Sequence, residues 1–498
     1  MCGGTCTHAR SNGECAPLSL GLDHVHVEVA NYSSTDEHDK VVLKVPPGRS
    51  TKQQGTSSGW SARCNLTKAF LGAASFELPW ALQQSGIAAG VLSLAVFALA
   101  CAYTLKLLGR ARTLVMARRA TTPASTATSS TATTITYADV GRAAYGAAGA
   151  RLVNFGVVGM SLGVCAAYLV FVGTTLHSVF VNVGVYPAMS IGGSCASATS
   201  VAPGCIALPL LATLPVFGAI AMLEDYSKLA WTSLAGTVLV VLAMVGVLGY
   251  GFAMQGPAVS IATLATQPLL RWRSYPLFFG NAAFAFCIHT VAIPVHASLE
   301  DPECDYEAAV DQSTTFVAIT NVVFAVACAV LFGREGVQAN IMQNLPQGAL
   351  LSECVKVLLC IVMVFTYALF LQPVAELIER SFFAPGLDGT SPGRALRQRR
   401  AIRIGVILVT TAIALVVPDF GLVCNLVGSV ANTLVGLIMP PLFYHKLMGD
   451  RLTLRERVAC ATIAVFGFVL MVVSTTVTVA AIADLYREAA PTRASTHQ

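Results

Sequence analysis

Eleven mostly apolar stretches punctuate the chain, near 66–83, 87–108, 152–178, 204–222, 229–254, 276–297, 314–333, 350–372, 402–417, 420–443 and 457–483. Each approaches the roughly 20 apolar residues that a membrane-crossing helix needs. The runs are apolar on every face, and Leu229–Met254 carries no charge. Outer-membrane strands would instead show about ten residues of alternating polarity. The pattern predicts an all-α polytopic membrane protein with about 11 transmembrane helices. The turn at Pro418-Asp419, between the ninth and tenth stretches, is the shortest.

Polar sequence brackets these runs. Residues 1–62 are hydrophilic with mixed charge and are expected to form a disordered cytosolic tail. They lack an early apolar core, so no secretory signal is expected. Residues 63–483 form the membrane domain and 484–498 a short C-terminal tail. Thr121–Thr136, nearly all Thr, Ser and Ala, reads as a flexible loop, and Tyr137–Gly149 as a short interfacial helix.

Composition sharpens the class. Of 498 residues, 55% are hydrophobic and 11% charged, against about 25% charged in soluble domains. A water-soluble multidomain enzyme is excluded. With a cytosolic N-terminus, eighteen Lys and Arg fall on cytosolic loops and helix ends and five on the opposite side, as the positive-inside bias requires. The net charge of +5 therefore needs no nucleic-acid partner. The Arg394–Arg403 run reads as a basic loop facing anionic lipid. Most of the fifteen cysteines lie in spans, where Cys101, Cys287, Cys424 and others read as small apolar packing residues. Cys2, Cys6 and Cys15 lack zinc-site spacing. Cys195 and Cys205 share a non-cytosolic loop, where a disulfide suits an oxidising compartment.

Two spans are interrupted. Span one contains Gly72-Ala73-Ala74-Ser75-Phe76-Glu77-Leu78-Pro79, and span six runs Phe284-Ala285-Phe286-Cys287-Ile288-His289 to Pro294. Proline removes a helix hydrogen bond, and broken backbone at membrane depth is tolerated where it lines a cavity or is buried in protein. Spans one and six are five apart, as a five-plus-five inverted repeat predicts. In such transporters the breaks present N–H groups to a carboxylate and C=O groups to cations or amines. The competing reading is two ordinary proline kinks. A membrane-embedded enzyme would need a paired acid set or a His-plus-acid motif at the membrane face, and none is seen. Eleven spans with two interruptions fit neither a seven-helix receptor nor a simple pore.

The order of local motifs is distinctive. Asn65-Leu66-Thr67-Lys68-Ala69-Phe70-Leu71-Gly72 through Leu78-Pro79-Trp80-Ala81 resembles the first-helix motif of the amino acid/auxin permease family. Ser274-Tyr275-Pro276-Leu277-Phe278-Phe279-Gly280 with Phe284-Ala285-Phe286 resembles the sixth helix of its proton-coupled amino acid transporters. Asn344-Leu345-Pro346 with Phe365-Thr366-Tyr367-Ala368-Leu369 is similar to their eighth, and Val417-Pro418 with Pro440-Pro441-Leu442 to their tenth. The resemblance spans 63–483 and implies eleven helices and carboxylate-bearing amino acids as substrates. It also implies a binding site at Gly72, Ala73, Ala74, Ser75, Phe76, Phe284, Phe286, Thr366 and Tyr367. The sequence departs from the family in a thinned first-helix glycine cluster and in Cys287, where a Glu is common.

Ionisable groups inside spans default to functional candidates. Lys68 stands where sodium-coupled relatives hold an Asn; a fixed ammonium there would substitute for Na⁺, or it snorkels to the interface. Glu77 is a candidate proton carrier, or an ion-pair partner of Lys68 or Lys356. His289, an imidazole of near-neutral ordinary pKa, is a relay or a packing group. Glu353 and Lys356, three apart, are expected to neutralise each other. The resulting expectation is a secondary active transporter moving amino acids by alternating access, coupled to protons. The alternative is Na⁺ coupling or vesicular exchange. No cofactor is implied, and the membrane is the plasma membrane or a vacuolar or lysosomal one.

Overall fold

Ser58 begins the first helix, its hydroxyl accepting from the Ser61 N–H at 3.3 Å. The computed structural model describes residues 55, 57–121, 135–184, 205–222, 229–255, 266–333, 336–382 and 392–489. Cys2, Cys6, Cys15 and most of the N-terminal tail, residues 122–134 of the Thr-rich loop, and Cys195 lie outside them.

The helices in order are α1 (Gly59–Phe70), α2 (Leu78–Ser85), α3 (Ile87–Thr121), α4 (Tyr137–Asn182), α5 (Ala207–Ala221), α6 (Leu229–Gln255), α7 (Tyr275–Phe286), α8 (His289–Ser298), α9 (Pro302–Phe332), α10 (Leu350–Phe382), α11 (Pro392–Val416), α12 (Phe420–Val427), α13 (Met439–Met448) and α14 (Leu454–Ala489). Two wide π turns, Gly428–Asn432 and Leu434–Ile438, join α12 to α13 into one crossing. All eleven predicted stretches fall on helices. Among the described residues, eight are long and apolar enough to cross a membrane. The broken α1–α2 pair, the 15-residue α5 and the Arg-rich α11 account for the other three stretches.

Tyr137 does start a helix, capped by a reciprocal Thr136–Asp139 pair, and a kink at Tyr145-Gly146 joins it to the crossing proper. Gly146 adopts φ 62°, which glycine tolerates without steric cost. The Arg394–Arg403 run is a correction: it is not a loop but the first turns of α11. Pro392 supplies a favourable first residue, and Arg, Leu, Ala and Gln continue it as good helix formers. Arg403 Nη1 donates to the Ala221 carbonyl at 2.6 Å, and Glu379 lies 3.7 Å from Arg399.

α4, the α7–α8 crossing and the α12–α13 crossing are the most enclosed, whereas α6 and α14 turn exposed Leu242, Val245, Val465 and Phe468 outward. In a bilayer those faces meet lipid. Close approach replaces side-chain packing where α7 meets the first π turn: a Cβ on Gly428 would collide with the Gly280 carbonyl. There the Asn425 amide donates to the Leu277 carbonyl, while its Oδ1 accepts from Ser474 at 2.9 Å and Thr478 at 3.0 Å.

Both interrupted spans are broken, but not at their prolines. Crossing one opens at Leu71-Gly72, where Gly72 is extended (φ −160°, ψ −153°), and re-forms through a 3₁₀ turn, Ala73–Phe76. Pro79 lies in the first turn of α2, where its missing N–H would be unpaired anyway. Crossing six opens at Cys287-Ile288, and Pro294 sits inside α8. Pro294 removes the donor that the Thr290 carbonyl would otherwise use.

Candidate functional site

The two openings face each other. A helix end leaves its last carbonyls and first N–H groups without intrahelical partners. The end of α1 therefore offers acceptors, and the start of α8 offers donors, to the space between them. That space is a chamber of about 40 Å³ lined by Phe70, Gly72, Ala73, Ala74, Phe284 and Cys287, among others. Tyr168 from α4, Phe370 from α10 and Asn432 from the first π turn complete its wall. Asn432 donates from Nδ2 to the Ala283 carbonyl at 3.4 Å, and its buried Oδ1 has no partner. An unpaired acceptor enclosed this way is costly unless a ligand or water meets it. The Tyr168 hydroxyl overhangs Gly72, 3.9 Å from where a Cβ would stand, and its ring sits edge-on to Phe370.

The chamber shares Ala69, Gly72, Tyr168, Thr290, Val291 and Phe370 with a larger cavity of about 400 Å³. This cavity lies among α1, α4, α6, α8 and α10. Its wall includes the hydroxyl-bearing Ser161, Thr237, Thr290 and Thr366, and a single charged side chain, Lys68. Lys68 makes no hydrogen bond or ion pair among the described residues. Two prolines border the same cavity, Pro294 and Pro373. Each deprives a carbonyl one turn earlier, on Thr290 and on Leu369, of its helical donor. Both of those residues line the cavity too.

The sequence-derived candidates divide cleanly. Gly72, Ala73, Ala74 and Phe284 line the chamber, and Lys68 and Thr366 the cavity. Ser75 is fully buried with its hydroxyl unpaired, and Phe76 packs on Phe171 and Phe324. Phe286 packs on Phe70 at 6.1 Å, away from the chamber. Tyr367 points outward from the cavity, its hydroxyl 2.8 Å from Thr410 Oγ1 and its ring 4.8 Å from Phe217. Glu77 pairs with neither Lys68 nor Lys356; both its oxygens are enclosed without a partner in hydrogen-bond geometry, beside the Cys424 thiol. His289 is enclosed behind the break, with Nε2 2.9 Å from Thr104 Oγ1. Lys356 and Glu353 do pair, at 3.1 Å. Cys205 is buried against Phe180, Val181 and Leu208.

Tyr168, Asn432, Phe370 and Thr290 were not legible as site residues. Asn432 carried a signal, being with Asn425 one of two side-chain amides inside a mostly apolar span.

The profile of transmembrane amino acid transporter proteins matches residues 55–480. The chain is 30% identical to amino acid transporter AVT1B of Arabidopsis thaliana over 68% of its own length and 58% of that protein's. It is 25% identical to AVT1E of the same plant, over 91% of this chain and 79% of the relative. It is also 25% identical to AVT1H, over 87% and 91%. Among solved structures, a Na⁺-coupled sialic acid symporter in a substrate-bound outward-open state matches with TM-score 0.50 and 12% identity, over 86% of this chain and 91% of that one. That likeness concerns the fold. The profile match, running through both helix breaks and every described crossing, shows that the chain belongs to the transmembrane amino acid transporter family.

Proposed function

We propose that the chain moves amino acids across a membrane by alternating access, coupled to protons. The observation that carries this reading is the meeting of two helix breaks at one chamber, with the unpaired Asn432 Oδ1 on its wall. An amino acid needs donors for its carboxylate and acceptors for its ammonium at once. The start of α8 offers the former; the end of α1 and Asn432 offer the latter. The cavity serves as the path between chamber and solvent. By the Lys and Arg distribution it faces the cytosol, with the N-terminus on the same side. Lys68 on its wall acts as a fixed cation in place of Na⁺, which favours protons as the coupling ion. Cys195 and Cys205 pair in the opposite, non-cytosolic loop.

The test is uptake of a labelled amino-acid panel by proteoliposomes of the full chain under an imposed pH or Na⁺ gradient. Saturable uptake driven by the pH gradient is expected. Uptake that needs Na⁺ overturns the coupling assignment alone, and no uptake of any amino acid under either gradient overturns the reading.

A further inference from the structure

We infer that Cys101 and Cys287 form an oxidisable dithiol, served by His289 as base, whose disulfide pins the break of crossing six to α3. Their sulfurs are 3.8 Å apart although the residues are 186 positions apart in sequence. Both thiols are free and buried. Cys287 is the residue at which α7 ends, and it forms part of the chamber wall. Of the two cysteines it is the one that a small oxidant in the chamber reaches first. Cys101, on α3, is not part of that wall and stands behind it as the resolving thiol.

A buried thiol is inert unless something takes its proton. The hydrogen bonds around His289 supply that group. The Thr104 hydroxyl donates its only proton to the Cys101 carbonyl at 3.1 Å. We assign that proton to the carbonyl, so that the 2.9 Å contact with His289 Nε2 is made by an Nε2–H. That assignment leaves Nδ1 as a bare lone pair, and Nδ1 is enclosed without a partner. A Cβ on Gly436 would stand 2.5 Å from the Cys287 sulfur and 2.9 Å from His289 Nδ1. The thiol and the ring nitrogen thus both crowd the same face of residue 436, where no side chain would fit. Two cysteines acting only as apolar packing would leave this enclosed nitrogen unexplained.

With hydrogen peroxide as oxidant, Cys287 passes its proton to Nδ1 and its sulfur attacks one peroxide oxygen. The O–O bond breaks, and the departing hydroxide takes the proton from His289 to leave as water. Cys287 becomes a sulfenic acid. The Cys101 sulfur attacks it, the S–S bond forms, the S–O bond breaks, and hydroxide leaves with the Cys101 proton as a second water. Two thiols are oxidised by two electrons and one peroxide is reduced to two waters. The bond needs sulfurs about 2.05 Å apart, so it draws the break toward α3 and fixes the angle between α7 and α8. Its effect on transport rests on the function proposed above, because alternating access needs that hinge to move.

The test treats the full chain in proteoliposomes with hydrogen peroxide, alkylates remaining thiols, and digests without reduction. A peptide pair joined through residues 101 and 287, released by dithiothreitol, is expected. In Cys101→Ser, and in Cys101→Ala should the serine fold poorly, the pair is absent and Cys287 is trapped by dimedone as its sulfenic acid. His289→Gln forms the pair more slowly. Amino-acid uptake is lost on peroxide treatment, returns with dithiothreitol, and survives peroxide in Cys101→Ser. Both thiols remaining alkylatable after peroxide would overturn the proposal, and a joined pair with undiminished uptake would overturn its effect on transport. If no amino acid is taken up at all, the peptide pair still reads the dithiol, and only the transport reading falls.

Discussion

Lys356 and Lys68 both lie on helices of the bundle, and their surroundings are opposite. Lys356, near the start of α10, has no exposed side-chain surface; its ammonium donates to Glu353 Oε1 at 3.1 Å and Ser178 Oγ at 3.2 Å. The same Glu353 oxygen accepts from Asn182 at 2.8 Å, so the cluster ties α4 to α10. Lys68, near the end of α1, borders the cavity with no partner among the described residues. A charge taken from water is held by paired neighbours or is kept for a task. The α4–α10 cluster is of the first kind, and the function proposed above puts Lys68, half-buried on the cavity wall, in the second. Identical residue types in similar hydrophobic runs therefore separate into a paired latch and an unpaired cavity-wall group.

That contrast can be broken in order of effect. Lys68→Met is expected to abolish amino-acid uptake while leaving the thermal midpoint unchanged or higher, since it removes an unpaired charge; loss of folding with the transport would place Lys68 with Lys356 instead. Lys356→Met is expected to destabilise the fold by about 3 kcal/mol, read as a lowered thermal midpoint, because Glu353 is left without its ion partner. Adding Glu353→Gln should recover part of that loss, and the Michaelis constant of the remaining folded protein should not move. Tyr367→Phe removes one buried hydrogen bond and should cost about 1 kcal/mol of stability without changing the Michaelis constant. Thr366→Val, one residue earlier, should raise that constant a few-fold with little loss of stability. Equal effects on transport from the two substitutions would deny that the cavity is the path.

The crossings were legible because a bilayer demands long apolar runs whatever the packing. Phase was not. The middle of α10, residues 357–371, carries no charge on any side, so nothing in the residue pattern says that Thr366 faces the cavity while Tyr367, about 100° further round, meets Phe217 and Thr410. The break positions were legible only to within a helix turn or two. Pro79 and Pro294 drew attention to the right spans, but Pro79 starts a helix and Pro294 sits within one. The ladders open at Gly72, extended and overhung by Tyr168, and at Cys287, packed against Cys101. Those are tertiary contacts that no local pattern encodes. The same holds for His289, whose ring is met by Thr104 on another helix.

The most direct measurement is peptide-resolved alkylation of a Thr366→Cys variant by a small polar maleimide, with and without each amino acid of the panel. The cavity assignment predicts that Thr366→Cys is labelled and that a transported amino acid slows the labelling, while Tyr367→Cys stays unlabelled in either condition. Labelling of Tyr367→Cys at the same rate as Thr366→Cys, or labelling of Thr366→Cys that no amino acid slows, would contradict it.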